Sequence, residues 1–146
     1  MLVWSAKIGG SVLKHQFVID TSVYLSYARF KKLYRLSYCV IDYGLQVFID
    51  NILLNELKKN LPKMLYHFEF DSQVAMDEIL DFTTYVETIP LFSNSPDPKD
   101  NFLFDLALQT NSEVIITKET ALLNFIESPI AIHDIKWFKE KFPVEL

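Results

Sequence analysis

Cysteine is almost missing from this chain. Cys39 is the single thiol, so no internal disulfide forms and the composition suits a reducing compartment. Cys39 itself reads as a small apolar residue inside a helix. Histidine is scarce too: His15, His67 and His133 are far apart in sequence, and no Cys/His spacing suits a zinc site. No apolar run approaches the length of a membrane span. The opening MLVWSAKIGGSVLKHQ has only a short apolar run, broken by Lys7, and does not read as a signal peptide. Positive charge is also in short supply. Fourteen Lys and Arg against 19 Asp and Glu leave a formal charge of -5, so nothing in the global electrostatics attracts nucleic acid. Any such binding has to be local, through patches or metal ions. Together these absences read as a soluble, cytoplasmic protein with no membrane partner.

What is present is apolar bulk. Half of the 146 residues are hydrophobic, and Phe (12) and Tyr (7) are abundant, which fits one domain with a sizeable core. Residues 1–16 stand apart. They hold Gly9 and Gly10, two of only three glycines, and show no clear periodicity. They read as a leader or an extra edge element, and residues 17–146 as a single domain.

Along the chain, QFVID (16–20) and QVFID (46–50) are short β-branched and aromatic runs, hence buried strands. Asp20, Thr21 and Ser22 signal a helix start, and helices follow over VYLSYARF and KKLYRLSYCVIDY, the second ended by Gly44. Asp50 or Asn51 caps ILLNELKKNLPKML. There Ile52, Leu53, Glu56, Leu57 and Leu61 share helical spacing, which sets Glu56 beside apolar residues. The pattern then predicts a helix over 72–84, a third strand in YVETIPL, a turn at SNSPDP and a helix over 98–110. A strand at EVIIT, a short helix at ETALLNF and a last strand and helix in PIAIHDIKWFKEKF complete it. Strands alternating with helices imply parallel βαβ units in an α/β layer structure.

In such a sheet, sites form beyond the carboxyl ends of the strands. Asp20 ends the first strand, Glu56 lies in the helix after the second, Asp100 opens a helix, and Glu119 follows VII. If those ends converge, four carboxylates surround one cleft. Bare carboxylates at that density repel one another, and a divalent cation that prefers oxygen ligands removes the conflict. Each position also has a plainer reading. Asp20 and Asp100 suit helix caps, Glu119 a first-turn acid facing the helix dipole, and Glu56 a solvated rim residue. Asp97 and Asp105 read as turn and surface residues. Thr21, Ser22 and Thr117 suit helix-start or strand-end hydroxyls, or partners that orient a carboxylate.

The ordered set carries a resemblance. FVIDTSVYLSYA resembles the opening of a PIN-domain protein, a strand ending in Asp followed by Thr and then Ser or Asn. LLNELKKNL resembles the family's helix that carries a Glu. DPKDNFLFDLALQTNSEVIITKETALL is similar to its third block, where an Asp-Pro-rich turn precedes an acid, a helix, a strand and a Thr-x-acid. The likeness covers roughly residues 17–142 and is nearest to the bacterial toxin branch related to VapC ribonucleases. It implies a three-layer fold with a central parallel sheet flanked by helices. It also implies a Mg²⁺- or Mn²⁺-dependent endoribonuclease with an RNA substrate, the toxin of a toxin–antitoxin pair, a homodimer, and a small antitoxin protein as partner. Asp20, Glu56 and Asp100 match the family's three main acids as catalytic and metal-holding residues. Glu119 matches the fourth, more usually Asp, and Ala121 stands where that branch often has a further acid.

Other readings compete. A haloacid-dehalogenase phosphatase needs a carboxylate two residues after its first Asp, where this chain has Ser22. A receiver domain needs paired acids near Asp20, which stands alone. A catalytically degraded PIN-like domain acting in protein or RNA binding agrees with the acidic charge and Glu119, but not with the intact Asp20, Glu56 and Asp100. Lys31, Lys32 and Arg35, and Lys58, Lys59 and Lys63, read as solvated basic faces, with guidance of RNA phosphates as the alternative. Tyr24 and Tyr27 suit packing before base stacking. The aromatic-rich residues 24–43 are the expected dimer contact.

Overall fold

The structure, a computed structural model, describes Lys7–Ile8, Ser11–Val12, residues 15–66 and residues 71–144. Its core is a five-stranded parallel sheet. The strands are β3 (His15–Ile19), β4 (Leu45–Ile49), β5 (Thr83–Tyr85), β6 (Val114–Ile116) and β7 (Ala131–His133), in spatial order β5-β4-β3-β6-β7. Phe17, Val18 and Ile19 are all buried, as are Val47, Phe48 and Ile49, and Val114, Ile115 and Ile116. Consecutive buried residues mean that both faces are covered, as parallel sheets require. Helices α1 (Thr21–Arg29), α2 (Leu33–Asp42), α3 (Asn51–Leu65), α4 (Ser72–Phe82), α5 (Asn101–Gln109), α6 (Thr120–Leu123) and α7 (Ile135–Lys141) supply the outer layers. This is the three-layer fold with a central parallel sheet that the resemblance implies, built of the parallel α/β units that the alternating pattern implies. No helix among the described residues is long and apolar enough to cross a membrane.

The helical stripes explain the layering. Leu53, Leu57, Leu61 and Leu65 recur every fourth residue on α3, and all are buried. Gly44, at φ +61°, takes the left-handed position that lets the chain turn from α2 into β4. Phe17 packs edge-on against Trp137, Phe138 and Phe142, tying α7 and the segment after it to the central strand.

Three expectations need correction. The main sheet starts at His15, so His15 and Gln16 belong to β3 and not to a leader. Of the rest of residues 1–16, β1 (Lys7–Ile8) and β2 (Ser11–Val12) form a separate antiparallel pair, and the other positions lie outside the described residues. The third strand is shifted. β5 pairs with β4 over Thr83–Tyr85, so the helix before it ends at Phe82. Past Val86 the extended chain YVETIPL is bound by side chains instead of a neighbouring strand. Gln109 Oε1 accepts from Ile89 N–H at 2.9 Å, and Asp105 Oδ1 accepts from the N–H groups of Leu91 and Phe92 at 3.0 and 2.8 Å.

That last observation is the third correction. Asp105 is not a surface residue; it is buried within α5, where Phe102 to Ala107 are all buried. A helix apolar on every side is a buried helix, and an acid within it needs hydrogen-bonding partners. Asp105→Ala should therefore strand two backbone amides and cost about 1–3 kcal/mol. Urea denaturation checks this: the midpoint should fall with the slope unchanged, and an unchanged midpoint would mean that the segment 86–92 is held by other contacts.

Candidate active site

An Asp at a helix N-cap ordinarily spends its carboxylate on the free amides of the first turn. Four do so here. Asp50 accepts from Leu53 N–H, Asp71 from Gln73 N–H, Asp97 from Lys99 N–H and Asp134 from Trp137 N–H, all at 2.8 to 3.0 Å. Asp97 thus proves to be the turn residue expected. Asp20, Asp100 and Glu119 also sit at N-cap positions, of α1, α5 and α6, and none of their side chains makes a cap hydrogen bond. The capping explanation therefore fails for the three acids where it mattered.

Their carboxylates are held elsewhere. β3 and β6 are neighbours at the switch point of the sheet, and Asp20 N–H donates to Ile116 O at 2.8 Å. Beyond those strand ends, Thr117 Oγ1 donates to Asp20 Oδ2 at 2.8 Å and Ser22 Oγ donates to the same oxygen at 3.1 Å. Asp20 is only 3% exposed. From α3, Glu56 reaches the same place, where Thr21 Oγ1 donates to its Oε1 at 2.6 Å. Asp100 and Glu119 lie side by side, close enough to share one proton. Thr21, Ser22 and Thr117 are therefore orienting partners of carboxylates. Tyr24 and Tyr27 are buried packing residues.

The acids lie within one another's electrostatic reach. Burial raises the Asp20 carboxyl above its ordinary range, against the pull of the Thr117 and Ser22 hydroxyls. Glu56 is raised by burial and then by the charges of Asp20, Asp100 and Asp50, against the hydrogen bond from Thr21. Asp100 is raised by burial and by Asp20 and Asp97. Glu119 is pushed up to about 7 by desolvation first, then by Asp20, Asp100 and Glu56. Glu119 is also partly open to solvent. Its upward direction stands because three carboxylates act on it in the same sense. In the Asp100–Glu119 pair the proton resides on Glu119.

Oxygen ligands crowded by like charge suit Mg²⁺ or Mn²⁺ in kind, since such an ion relieves the repulsion that now keeps protons in place. In the proton-sharing arrangement, no group of three or more His, Cys, Asp or Glu side chains among the described residues is drawn together as an ion requires. The donor set fits such an ion by chemistry.

Two features escaped the sequence reading. Asp50, buried and capping α3, adds its charge to the field at Glu56. Lys118 ties the rim together: its N–H donates to Ser22 Oγ at 3.2 Å and its Nζ to Ser26 Oγ at 3.2 Å. Ser22 and Ser26 are one helical turn apart, which was legible; their shared contact with a residue after β6 was not.

Comparison with known proteins agrees with this fold. A family model described as PIN domain matches residues 16–121, well over half of the chain. A search of curated proteins finds no match. Among solved structures, the chain is similar to a crystal structure of VapBC2 from Rickettsia felis bound to a DNA fragment from their promoter. The TM-score is 0.57 at 15% identity, over 82% of this chain and 98% of that one. It is also similar to PAE2754 from Pyrobaculum aerophilum, at TM-score 0.60 and 15% identity, over 88% and 89% of the two chains. A third is the PIN domain endonuclease Utp24, at TM-score 0.50 and 13% identity, over 82% and 84%. At such identities the likeness speaks for the fold alone.

The raised carboxyls carry a stability consequence. With Glu119 raised from its ordinary 4.5 to about 7, the folded chain binds more protons than the unfolded one between those values. The stability it contributes is complete below 4.5 and lost as pH rises through about 7. Asp20, Glu56 and Asp100 act in the same sense. In EDTA, Tm should fall between pH 5 and pH 8, Glu119→Gln should flatten that fall, and Mg²⁺ or Mn²⁺ should restore Tm at pH 8. Calorimetry checks it; a wild-type Tm that holds level or rises over this window contradicts mutual repulsion among the acids.

Proposed function

From the premise that the chain belongs to the PIN-domain family, we propose that it is a metal-dependent endoribonuclease, acting as the toxin of a toxin–antitoxin pair. The observation that carries the reading is that Asp20, Asp100 and Glu119 make no helix-cap hydrogen bond and that their charges act on one another and on Glu56. Asp20, Glu56 and Asp100 would hold Mg²⁺ or Mn²⁺, with Glu119 assisting or holding a second ion. When bound, such an ion offsets the charge of a phosphodiester and lowers the pKa of a coordinated water.

The chain's own residues prepare that chemistry. Thr117 and Ser22 fix Asp20 Oδ2, and the Thr21 backbone N–H also acts on the Asp20 carboxyl. Thr21 fixes Glu56 Oε1 from the first residue of α1, so one short segment orients both acids. Glu119 holds a proton near neutrality and must release it before its carboxylate can face a cation. Glu119 is therefore the outer, adjustable member, consistent with its longer side chain and its exposure.

Two associations belong to this reading. The antitoxin partner is supported by the likeness to the VapBC2 structure. A homodimer is supported by Tyr34, Tyr38 and Ile41, which are 41%, 46% and 68% exposed on one face of α2 within the aromatic-rich segment. Light scattering over a concentration series should give a mass near twice 17.1 kDa; a constant monomer mass would refute the dimer.

The reaction has a direct test. Purified protein freed of any inhibitor should cleave RNA with Mg²⁺ or Mn²⁺, lose the activity in EDTA and regain it when either metal is restored. Asp20→Asn should abolish cleavage while the protein stays folded, and should not lower the metal-free Tm at pH 8, since it removes a buried charge. Glu119→Gln should do less harm than Asp100→Asn. Should no RNA be cleaved with either metal, the non-catalytic binding reading replaces this one. Should Asp20→Asn cleave like wild type, the activity resides elsewhere.

A further inference from the structure

An acidic cleft in a chain of charge -5 repels RNA, so a substrate needs cations placed beside the carboxylates. Lys99 lies beside Asp100, and a longer row of cations runs along α1 and α7. Along α1, Ser22, Ser26 and Phe30 follow one another at four-residue spacing away from Asp20. Lys118 spans the first two of them. Farther on, Ser26, Tyr27, Phe30, Lys32, Ile135 and Lys139 line a cavity of about 200 Å³. Lys139 Nζ lies 6.0 Å from the centre of the Tyr27 ring.

The cations of this cleft meet a hydroxyl and a ring and no carboxylate among the described residues. Among the described residues the one ion pair is His15 with Glu113, so Lys32, Lys118 and Lys139 have no carboxylate partner. Asp134, beside the cleft, is occupied in capping α7. The adjoining cavity shares Tyr27 and Lys139 and adds Arg35, whose Nε is buried without a hydrogen-bond partner. The backbone here is set: Lys31 takes the left-handed conformation at φ 56°, and Lys32 N–H donates to Tyr27 O at 2.8 Å. Phe30 is 61% exposed, with the Arg29 guanidinium carbon 5.5 Å from its ring centre. An exposed ring backed by a cation is a stacking platform for a base of any kind.

We infer that the cleft formed by Ser26, Lys32 and Lys139 holds a phosphate of single-stranded RNA, with the neighbouring base stacked on Phe30, and that Lys118 carries the strand from there to the acids. Ten residue steps along α1 lead from Asp20 to Phe30, about 15 Å of rise, a span that a few nucleotides cover. Ser26 and the lysines touch only the backbone of the strand and Phe30 only the face of a base, so this subsite supplies affinity and register without choosing sequence. The subsite deepens the nuclease reading and rests on it for its place beside the scissile bond.

The test is RNA binding read separately from cleavage. A short labelled single-stranded RNA of mixed sequence is titrated in EDTA at several salt concentrations. Lys32→Ala/Lys139→Ala should raise Kd about tenfold at low salt and lower the salt slope by about 0.7, since the one phosphate held in the cleft contributes about 0.7 on a single strand. Phe30→Ala should weaken binding with the slope unchanged. Lys58→Ala/Lys59→Ala, on the exposed face of α3, serves as the control and should match wild type. With metal, the Lys32/Lys139 double variant should raise KM more than it lowers kcat. Wild-type protein that binds no RNA, or a Lys32/Lys139 variant with the wild-type Kd and slope, overturns the subsite even where cleavage is intact. Binding that depends on these lysines without any cleavage would support the subsite and overturn the nuclease reading.

Discussion

The arrangement depends on one buried carboxylate. Asp20 sits at the junction of β3 and β6, where the chain changes the side of the sheet on which it builds. Its backbone N–H continues the ladder to Ile116, and its Oδ2 is bound by Thr117 from the next strand. An acid so enclosed is costly to ionise, and the two hydroxyls on it offset only part of that cost. Every other acid in the cleft then answers to Asp20. Its charge raises Glu56, Asp100 and Glu119, and that accumulated repulsion leaves a proton on Glu119 near neutral pH.

The division of labour among the acidic residues follows from how each helix start is satisfied. Asp50, Asp71, Asp97 and Asp134 close the first turns of their helices and are thereby used up. Asp20, Asp100 and Glu119 occupy equivalent positions but leave the first-turn amides without a side-chain cap. A stabilising contact typically near 1 kcal/mol is thus forgone at each. Destabilised helix starts grouped at one sheet edge are the kind of local conflict that functional sites retain.

Charge is distributed to match. The acids gather at the carboxyl edge of β3 and β6, and the ammonium groups of Lys32, Lys118 and Lys139, which have no carboxylate partner among the described residues, lie along α1 and α7 beside them. Net charge conceals this geography, because opposite fields a helix length apart cancel in the sum. On the opposite flank, past β5, the extended chain is fastened by Asp105 and Gln109 and offers apolar residues such as Ile89 and Leu91 to solvent.

Much of this was legible in the sequence. QFVID and QVFID announce strands buried on both faces, the spacing of Leu53, Leu57 and Leu61 announces the inner face of α3, and the acids after strands and at helix starts mark an edge. Such features are local, since a period of two or of 3.6 records which side of an element is covered. The edge strand was misplaced in YVETIPL because an extended segment tied to side chains has the same composition as one tied to a strand. Asp105 was read as exposed because a single polar letter in NFLFDLALQ does not say which amides it meets. Whether Asp20 caps α1 or meets Thr117, 97 residues away, is decided only when β6 docks beside β3. The sequence by itself determined the elements, the parallel sheet and the identity of the acids. Tertiary structure alone decided that Asp20 meets Thr117, that the acids share one electrostatic field and that Lys32 and Lys139 line one cavity, because all follow from contacts between strand and helix ends that no local periodicity encodes.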